Sequence, residues 1–167
     1  MKKLLILMLS FAFLFGCGAP GVTAATTDGG AETDATAREQ STSDVARALL
    51  DGLTWRDKLE LLDDDMRAVI IAAEDADLAQ SAVYIGSGAT AEEIAVLQCT
   101  DEDAAERVLE AAKTRVAEQT EAFRSYVPAE VPVLEHAVTE RHGTTVVMVV
   151  CDDAQAALDL IGSLLGN

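Results

Sequence analysis

Basic residues are scarce in this chain, and aromatic residues are scarcer still. The 167 residues include 12 Lys and Arg against 29 Asp and Glu, which gives a formal net charge of -17. A surface of this charge repels nucleic-acid phosphates and anionic lipid head groups, so nucleic acid is excluded as a partner. Aromatic residues make up 4% of the chain. The few candidates for an aromatic interface anchor, which could equally pack in a core, are Trp55, Tyr84, Phe123 and Tyr126.

Histidine occurs only twice, at His136 and His142. On one predicted strand the two would share a face but lie about 20 Å apart, too far to share a metal ion. No serine or cysteine is spaced with them as a nucleophile and its base. Glu92 and Glu93 are neighbours on a predicted strand and point to opposite faces, so they do not converge as catalytic carboxylates. The sequence therefore indicates no catalytic residue, no metal site and no cofactor.

The longest apolar run, Leu4 to Phe15, is too short to span a bilayer of about 30 Å as a helix. It follows Lys2 and Lys3 and so has the layout of a cleaved signal peptide. We expect this run to be a processing segment.

A cysteine closes the run in the stretch Leu14-Phe15-Gly16-Cys17. This is the layout of a bacterial lipoprotein signal, so we predict a signal peptide over 1–16 and a lipidated Cys17 as the first mature residue. Two acyl chains give stable anchoring where one is marginal. The expected location is the extracytoplasmic face of the cell membrane; an ordinary signal peptide cut after Ala24 is the alternative.

Residues 17–42 are predicted to be the lipidated cysteine and a flexible tether. The segment Gly18 to Thr42 is rich in Ala, Thr, Gly, Asp and Glu and shows no apolar periodicity. The remaining residues, 43–167, are enough for one core, so we predict a single domain there.

Two short helices are expected at the start of this domain. Ser43 or Asp44 can cap the first, whose apolar residues fall on one face. Asp63 to Asp65 can cap the second, with Met66, Val69, Ile70 and Ala73 predicted to point inward. The stretch from Trp55 to Leu62 between them is ambiguous between a short strand and an extended packing arm.

A pattern of two strands and a helix then occurs twice. The first unit has strands at Ala82–Ile85 and Glu93–Cys99, and a long helix capped by Thr100. The second has strands at Leu134–Arg141 and Thr144–Cys151, a turn at His142-Gly143, and a helix capped by Asp152. We predict an α+β fold with a four-stranded antiparallel sheet and helices on one face. The apolar run from Thr145 to Val150 should be a central strand, buried on both faces.

Three segments resemble a domain-of-unknown-function family of small predicted lipoproteins from Gram-positive bacteria. They are Val83 to Val96, which contains an Ala-x-Ala-Glu-Glu-Ile element at Ala89–Ile94, Tyr126 to Pro132, and Val149 to Ala154. The resemblance covers about residues 43–165. It implies lipoprotein status and the fold, and it implies no catalytic residues.

Cys99 and Cys151 each end an inner strand just before an acidic helix cap. If these strands are neighbours, the two side chains could meet in a disulfide, which would add about 4 kcal/mol in the chain-entropy model. We expect both cysteines to be free and buried, with the disulfide and reactive thiols at helix N-termini as the alternatives.

The expected function is that of a lipid-anchored, non-catalytic binding or accessory module at the cell surface. Its partner would be a protein or a cell-wall component, in addition to the membrane reached through Cys17. A cell-envelope enzyme acting on wall or peptide substrates and a passive structural lipoprotein are the alternatives.

Overall fold

The computed structural model describes residues 41–166. The predicted signal peptide, Cys17 and nearly all of the predicted tether lie outside these residues. Within the described range, none of the helices combines the length and apolar character needed to cross a membrane.

The described chain contains five α-helices and five strands. Two single-turn 3₁₀ helices add to them, at Asp75–Asp77 and Pro128–Glu130. In chain order the elements are α1 (Thr42–Gly52), β1 (Glu60–Leu61), α2 (Asp64–Ile70), β2 (Leu78–Ile85), β3 (Glu93–Cys99), α3 (Glu102–Tyr126), α4 (Val131–Glu135), β4 (Val138–His142), β5 (Thr145–Val150) and α5 (Ala154–Leu165).

The strands form one antiparallel sheet in the order β1-β2-β3-β5-β4. The α+β class and the two strand-strand-helix units are confirmed. Four strands were predicted. The fifth is the two-residue β1, which pairs with the end of β2. Strand β1 lies in the stretch from Trp55 to Leu62, which the sequence left ambiguous. Strand β5 lies between β3 and β4, and residues 146–150 have no exposed surface, which confirms the central strand.

Helices cover both faces of the sheet, so the prediction of helices on one face is wrong. Ile94 and Val96 of β3 pack with α1 and α5, whereas Ala95 and Leu97 pack with α3. All four side chains are fully buried. Since successive side chains on a strand point to opposite faces, an apolar run such as β3 needs an apolar layer on each side.

The caps of three helices lie one or two residues from their predicted positions. Ser41, Asp101 and Asp153 each accept the backbone N–H three residues ahead, at the starts of α1, α3 and α5. Asp63 caps α2 in the same way, as predicted.

The predicted inward face of α2 is partly wrong. Met66 and Val69 are exposed, with 45% and 76% of their surface accessible. The residue that α2 buries is Arg67, and the fully buried apolar residue is Ile71, just after the helix. A seven-residue helix is too short for a full apolar stripe, so a single position decides its orientation.

The strand predicted over Leu134–Arg141 begins only at Val138. The preceding residues form α4, which has Pro132 in its first turn. Proline is favoured there because its missing N–H would be unpaired anyway and its φ is already helical. The hairpin turn is Gly143-Thr144, one residue later than predicted, and Gly143 supplies its positive φ of 59°.

The disulfide that the sequence left possible between Cys99 and Cys151 is not formed, and both cysteines are free within residues 41–166. Their strands, β3 and β5, are neighbours but antiparallel, so Cys99 lies at one end of the paired stretch and Cys151 at the other, about 20 Å away. They also pack on opposite faces. Burial raises the pKa of Cys99 to about 11 and raises the pKa of Cys151 as well. The free, buried state fits both residues, and neither is an activated thiol.

Candidate functional site

Three buried carboxylates gather at the end of the sheet where β3 begins. Glu92, Glu93 and Glu130 expose 2%, 0% and 4% of their surface. Burying a carboxylate is costly unless it is paired and hydrogen-bonded, so each of these side chains depends on specific partners. The partners divide into two groups, because Glu92 and Glu93 point to opposite faces of β3.

Glu92 binds the chain segment between α1 and β1. Its carboxylate accepts the backbone N–H of Arg56 at 2.9 and 3.1 Å and that of Asp57 at 2.9 Å. The hydroxyl of Thr90 donates a further bond at 3.0 Å. Glu92 therefore accepts the backbone N–H groups of this irregular stretch, as the carbonyl groups of a partner strand would.

The guanidinium of Arg56 links this segment to two others. Nη1 and Nη2 each lie 2.7 Å from an oxygen of Glu130, and Nε lies 3.0 Å from Asp152. Glu130 also accepts the backbone N–H of Ala91 at 3.0 Å. The hydrogen bond from Arg56 has the largest effect on the pKa of Glu130 and, with the bond from Ala91, lowers this pKa below its usual value. We call Arg56, Glu92, Glu130 and Asp152 the ionic junction.

Glu93 is held from the other face by α3. Arg115 Nη2 and Gln119 Nε2 each lie 2.9 Å from Glu93 Oε2, and Arg115 Nε lies 3.4 Å from Oε1. Burial nevertheless raises the pKa of Glu93, against the opposing effect of these two donors.

A cleft of about 350 Å³ lies between the β2–β3 loop and α3, with Glu93 among its lining residues. Arg115, Glu118, Gln119, Ala122 and Tyr126 line it from α3. Their spacing of three and four residues places them on one face of the helix. Tyr126 is 57% exposed, and its ring centroid lies 4.7 Å from that of the buried Phe123.

The side-chain oxygen of Gln119 is buried and has no hydrogen-bond partner among residues 41–166. The amide nitrogen of Gln119 donates to Glu93. The cleft thus combines an exposed aromatic ring with a carboxylate whose pKa is shifted. Its volume lies in the range of small-molecule sites, so this arrangement suits recognition of a small polar ligand.

Of the candidate site residues singled out from the sequence, Glu92, Glu93, Phe123 and Tyr126 line this cleft, and the two histidines lie elsewhere. His136 ends α4, with Nδ1 2.6 Å from the carbonyl oxygen of Pro132, and His142 ends β4 beside Glu140. His136 is not on a strand, so the two histidines do not share a strand face as predicted. Over residues 41–166, no group of three or more His, Cys, Asp or Glu side chains is arranged to hold a metal ion.

Sequence reasoning missed Arg56, Arg115, Gln119 and Glu130. One signal was present for two of them, because Arg115 and Gln119 are polar residues four apart on the stripe of α3 that otherwise packs on the sheet. Polar residues on a buried stripe are expected to have buried polar partners.

Replacing Glu130 with Gln should destabilise the fold. Breaking a buried ion pair costs about 3–5 kcal/mol, and we expect about 2–3 kcal/mol here because the Arg56 side chain is 38% exposed. Urea denaturation measures the change. Glu121→Gln, which breaks the exposed pair with Arg124, is the matched control and should have almost no effect. Equal stabilities of the two variants would contradict the junction's role.

The raised pKa of Glu93 should appear in the pH dependence of stability. As pH rises from 4.5 through the raised pKa, the unfolded chain ionises this carboxyl more readily than the folded chain, so the free energy of unfolding should fall. Glu93→Gln removes this contribution. Urea midpoints measured from pH 4.5 to neutrality should therefore decline less in the variant; parallel profiles would show that burial does not shift this group.

The comparisons with known proteins gave one family match. A search of curated proteins and a search of solved structures each found no match. The model of a domain of unknown function, DUF4358, matches residues 70–151. The matched range runs from the end of α2 to Cys151, so it contains Glu92, Glu93, Glu130 and every cleft residue on α3. Residues 70–151 of this chain are a DUF4358 domain, a domain of unknown function.

Proposed function

We propose that this protein is a lipoprotein of the Gram-positive type and acts as a non-catalytic binding or accessory module on the extracytoplasmic face of the cell membrane. The anchor is the diacylglyceryl thioether at Cys17, and the partner is a protein or a cell-wall component. The cleft beside α3 is the recognition site.

The anchor is supported by the sequence at the N-terminus. Lys2 and Lys3, the apolar run that follows and the stretch Leu14-Phe15-Gly16-Cys17 form a lipoprotein signal. Removal of the signal, which contains Lys2 and Lys3, makes the net charge of the remaining chain more negative. Such a chain gains no attraction from anionic head groups, so its attachment depends on the acyl chains.

The observation that carries the binding role is the cleft itself, which has the volume of a small-molecule site and is lined by the exposed ring of Tyr126. The shifted pKa of Glu93, which also lines the cleft, is a further feature typical of functional sites.

An envelope enzyme is the second candidate, because a carboxyl with a raised pKa in a cleft is also a feature of acid catalysts. The contacts favour binding instead. Both oxygens of Glu93 are engaged by Arg115 and Gln119, and Glu92 is turned toward Arg56 on the other face. A catalytic pair would need a second carboxylate converging on the same ligand.

Replacing Cys17 with Ser should abolish lipidation and release the protein from the membrane. The wild type should incorporate radiolabelled palmitate and sediment with membranes, and the variant should do neither, because the serine cannot form the thioether. Cys99→Ser, which keeps the lipidation signal, is the control. Membrane association of Cys17→Ser at the wild-type level would contradict the anchor.

Filling the cleft should abolish ligand recognition without disturbing the fold. Ala122→Phe places a ring among the cleft residues, while Ala117→Phe adds the same ring to an exposed position of α3 outside the cleft. Soluble fractions of the cell envelope should raise the melting temperature of the wild type and of Ala117→Phe, but not that of Ala122→Phe.

If no envelope fraction stabilises the wild type more than Ala122→Phe, the cleft is not a recognition site. The untreated variants should melt close to the wild type, since both substitutions are at exposed positions.

A further inference from the structure

The outer edge of β2 is only partly covered by β1. Strand β1 pairs with the last two residues of β2, and the N–H of Leu62 donates to the carbonyl oxygen of Val83 at 2.8 Å. The chain then leaves the sheet, because Asp63 caps α2. Among residues 41–166, no strand pairs with the outer edge of β2 from Leu78 to Ser81. We call this stretch the open edge.

Ser81 directs its backbone groups toward the open edge. In an antiparallel strand, the N–H and C=O of one residue point to the same side, and so do those of every second residue. Val83 faces β1 through its carbonyl oxygen, so Ser81, two residues earlier, faces the same way just beyond the end of β1. A strand edge with such groups can pair with an extended peptide.

A groove of about 550 Å³ lies beside the open edge. Leu78 to Ser81 line it from β2, and residues of α2 line it from the other side. Ala79 and Gln80 are exposed, and Ser81 is half-buried. Four strand residues extend over about 13 Å, and the groove volume lies in the range of ligand sites, so a short extended peptide has room there.

The residues of α2 give the groove an unbalanced negative charge. Arg67 lines the groove but is paired with Asp75, so these two charges balance. Asp64 and Asp65 also line it, are exposed, and form no ion pair with any residue in the range 41–166. A partner with a Lys or Arg side chain is therefore favoured over an acidic or neutral one.

The preceding segment of this chain is a less suitable occupant. Helix α1 begins at Thr42 and its Ser43 lines the groove, so the chain enters the domain close by. Residues 18–40, however, contain four Asp and Glu against one Arg. Like charges repel, so the acidic groove favours a segment of another molecule.

We propose that the open edge of β2 binds an extended basic peptide segment of another protein as an added strand. Backbone groups of the peptide pair with those of Ser81, and a Lys or Arg side chain of the peptide lies beside Asp64 and Asp65. The groove shares no residue with the cleft beside α3, so this inference adds a second binding surface and does not depend on the first.

Calorimetric titration of the full chain with a strand-forming peptide tests the proposal. The probe is Thr-Val-Lys-Val-Thr, acetylated and amidated at its ends, and a second peptide has Glu in place of Lys. We expect the Lys peptide to bind at least about ten-fold more tightly, because Asp64 and Asp65 attract one charge and repel the other. A salt concentration of about 0.15 M limits non-specific attraction to the acidic surface.

A third peptide separates backbone pairing from charge. Methyl groups on the backbone nitrogens of Lys and the following Val remove one N–H from each edge of the peptide, so a lost donor faces β2 in either register. This peptide keeps its charge but should bind about five-fold or more weakly than its parent. Saturation with the parent peptide should slow hydrogen exchange at the Ser81 amide by about five-fold or more and leave Gly88 unchanged.

Matched variants locate the binding. Replacing both Asp64 and Asp65 with Asn should weaken binding of the Lys peptide by about five-fold or more. Asp103→Asn removes an exposed carboxylate from the first turn of another helix, α3, and should bind within about two-fold of the wild type. Ala122→Phe, which fills the cleft beside α3, should also bind within about two-fold.

Equal affinity for the Lys and Glu peptides, equal affinity for the parent and methylated peptides, or unchanged exchange at Ser81 would overturn the proposal. Loss of binding in Ala122→Phe would place the peptide in the cleft and would overturn it too. Deletion of residues 26–40 tests the other occupant. If the Lys peptide binds only after this deletion, the preceding segment fills the groove and the proposal is wrong.

Discussion

The pairing of Arg56 with Glu130 is the interaction on which one end of the fold depends. These residues lie 74 positions apart in the chain, and both hydrogen bonds between them measure 2.7 Å. Glu92 binds the backbone on either side of the Arg56 side chain, and Asp152 approaches from the end of β5. One guanidinium thus joins the segments that carry Arg56, Glu92, Glu130 and Asp152. Arginine suits this role because its planar group binds carboxylates in pairs and keeps its charge when partly buried.

The alternation of side chains along a strand connects this junction to the cleft. Glu92 and Glu93 are adjacent, so the first faces Arg56 and the second faces Arg115 and Gln119 on α3. The junction fixes the start of β3, and Glu93 is then held beneath α3 in a position where burial raises its pKa. The ionic junction and the proposed recognition site therefore use neighbouring residues that face opposite layers of the same domain.

Local patterns in the sequence predicted much of the fold and little of the site. The bounds of β3 and the central place of β5 follow from apolar runs, because a strand buried on both faces needs such a run. The relative direction of neighbouring strands is set by long-range packing, so the sequence could not place Cys99 and Cys151 at opposite ends of the sheet. The ion pair between Arg56 and Glu130 could not be predicted either, since no local sequence pattern links residues 74 positions apart.

Hydrogen exchange at three backbone amides tests the central claim most directly. The N–H groups of Arg56, Asp57 and Ala91 lie in irregular segments, and each donates to a buried carboxylate of the junction. If the junction holds these segments, all three amides should exchange nearly as slowly as those of β3, because they open only when the domain unfolds. Exchange as fast as that of the exposed loop residue Gly88 would contradict the account.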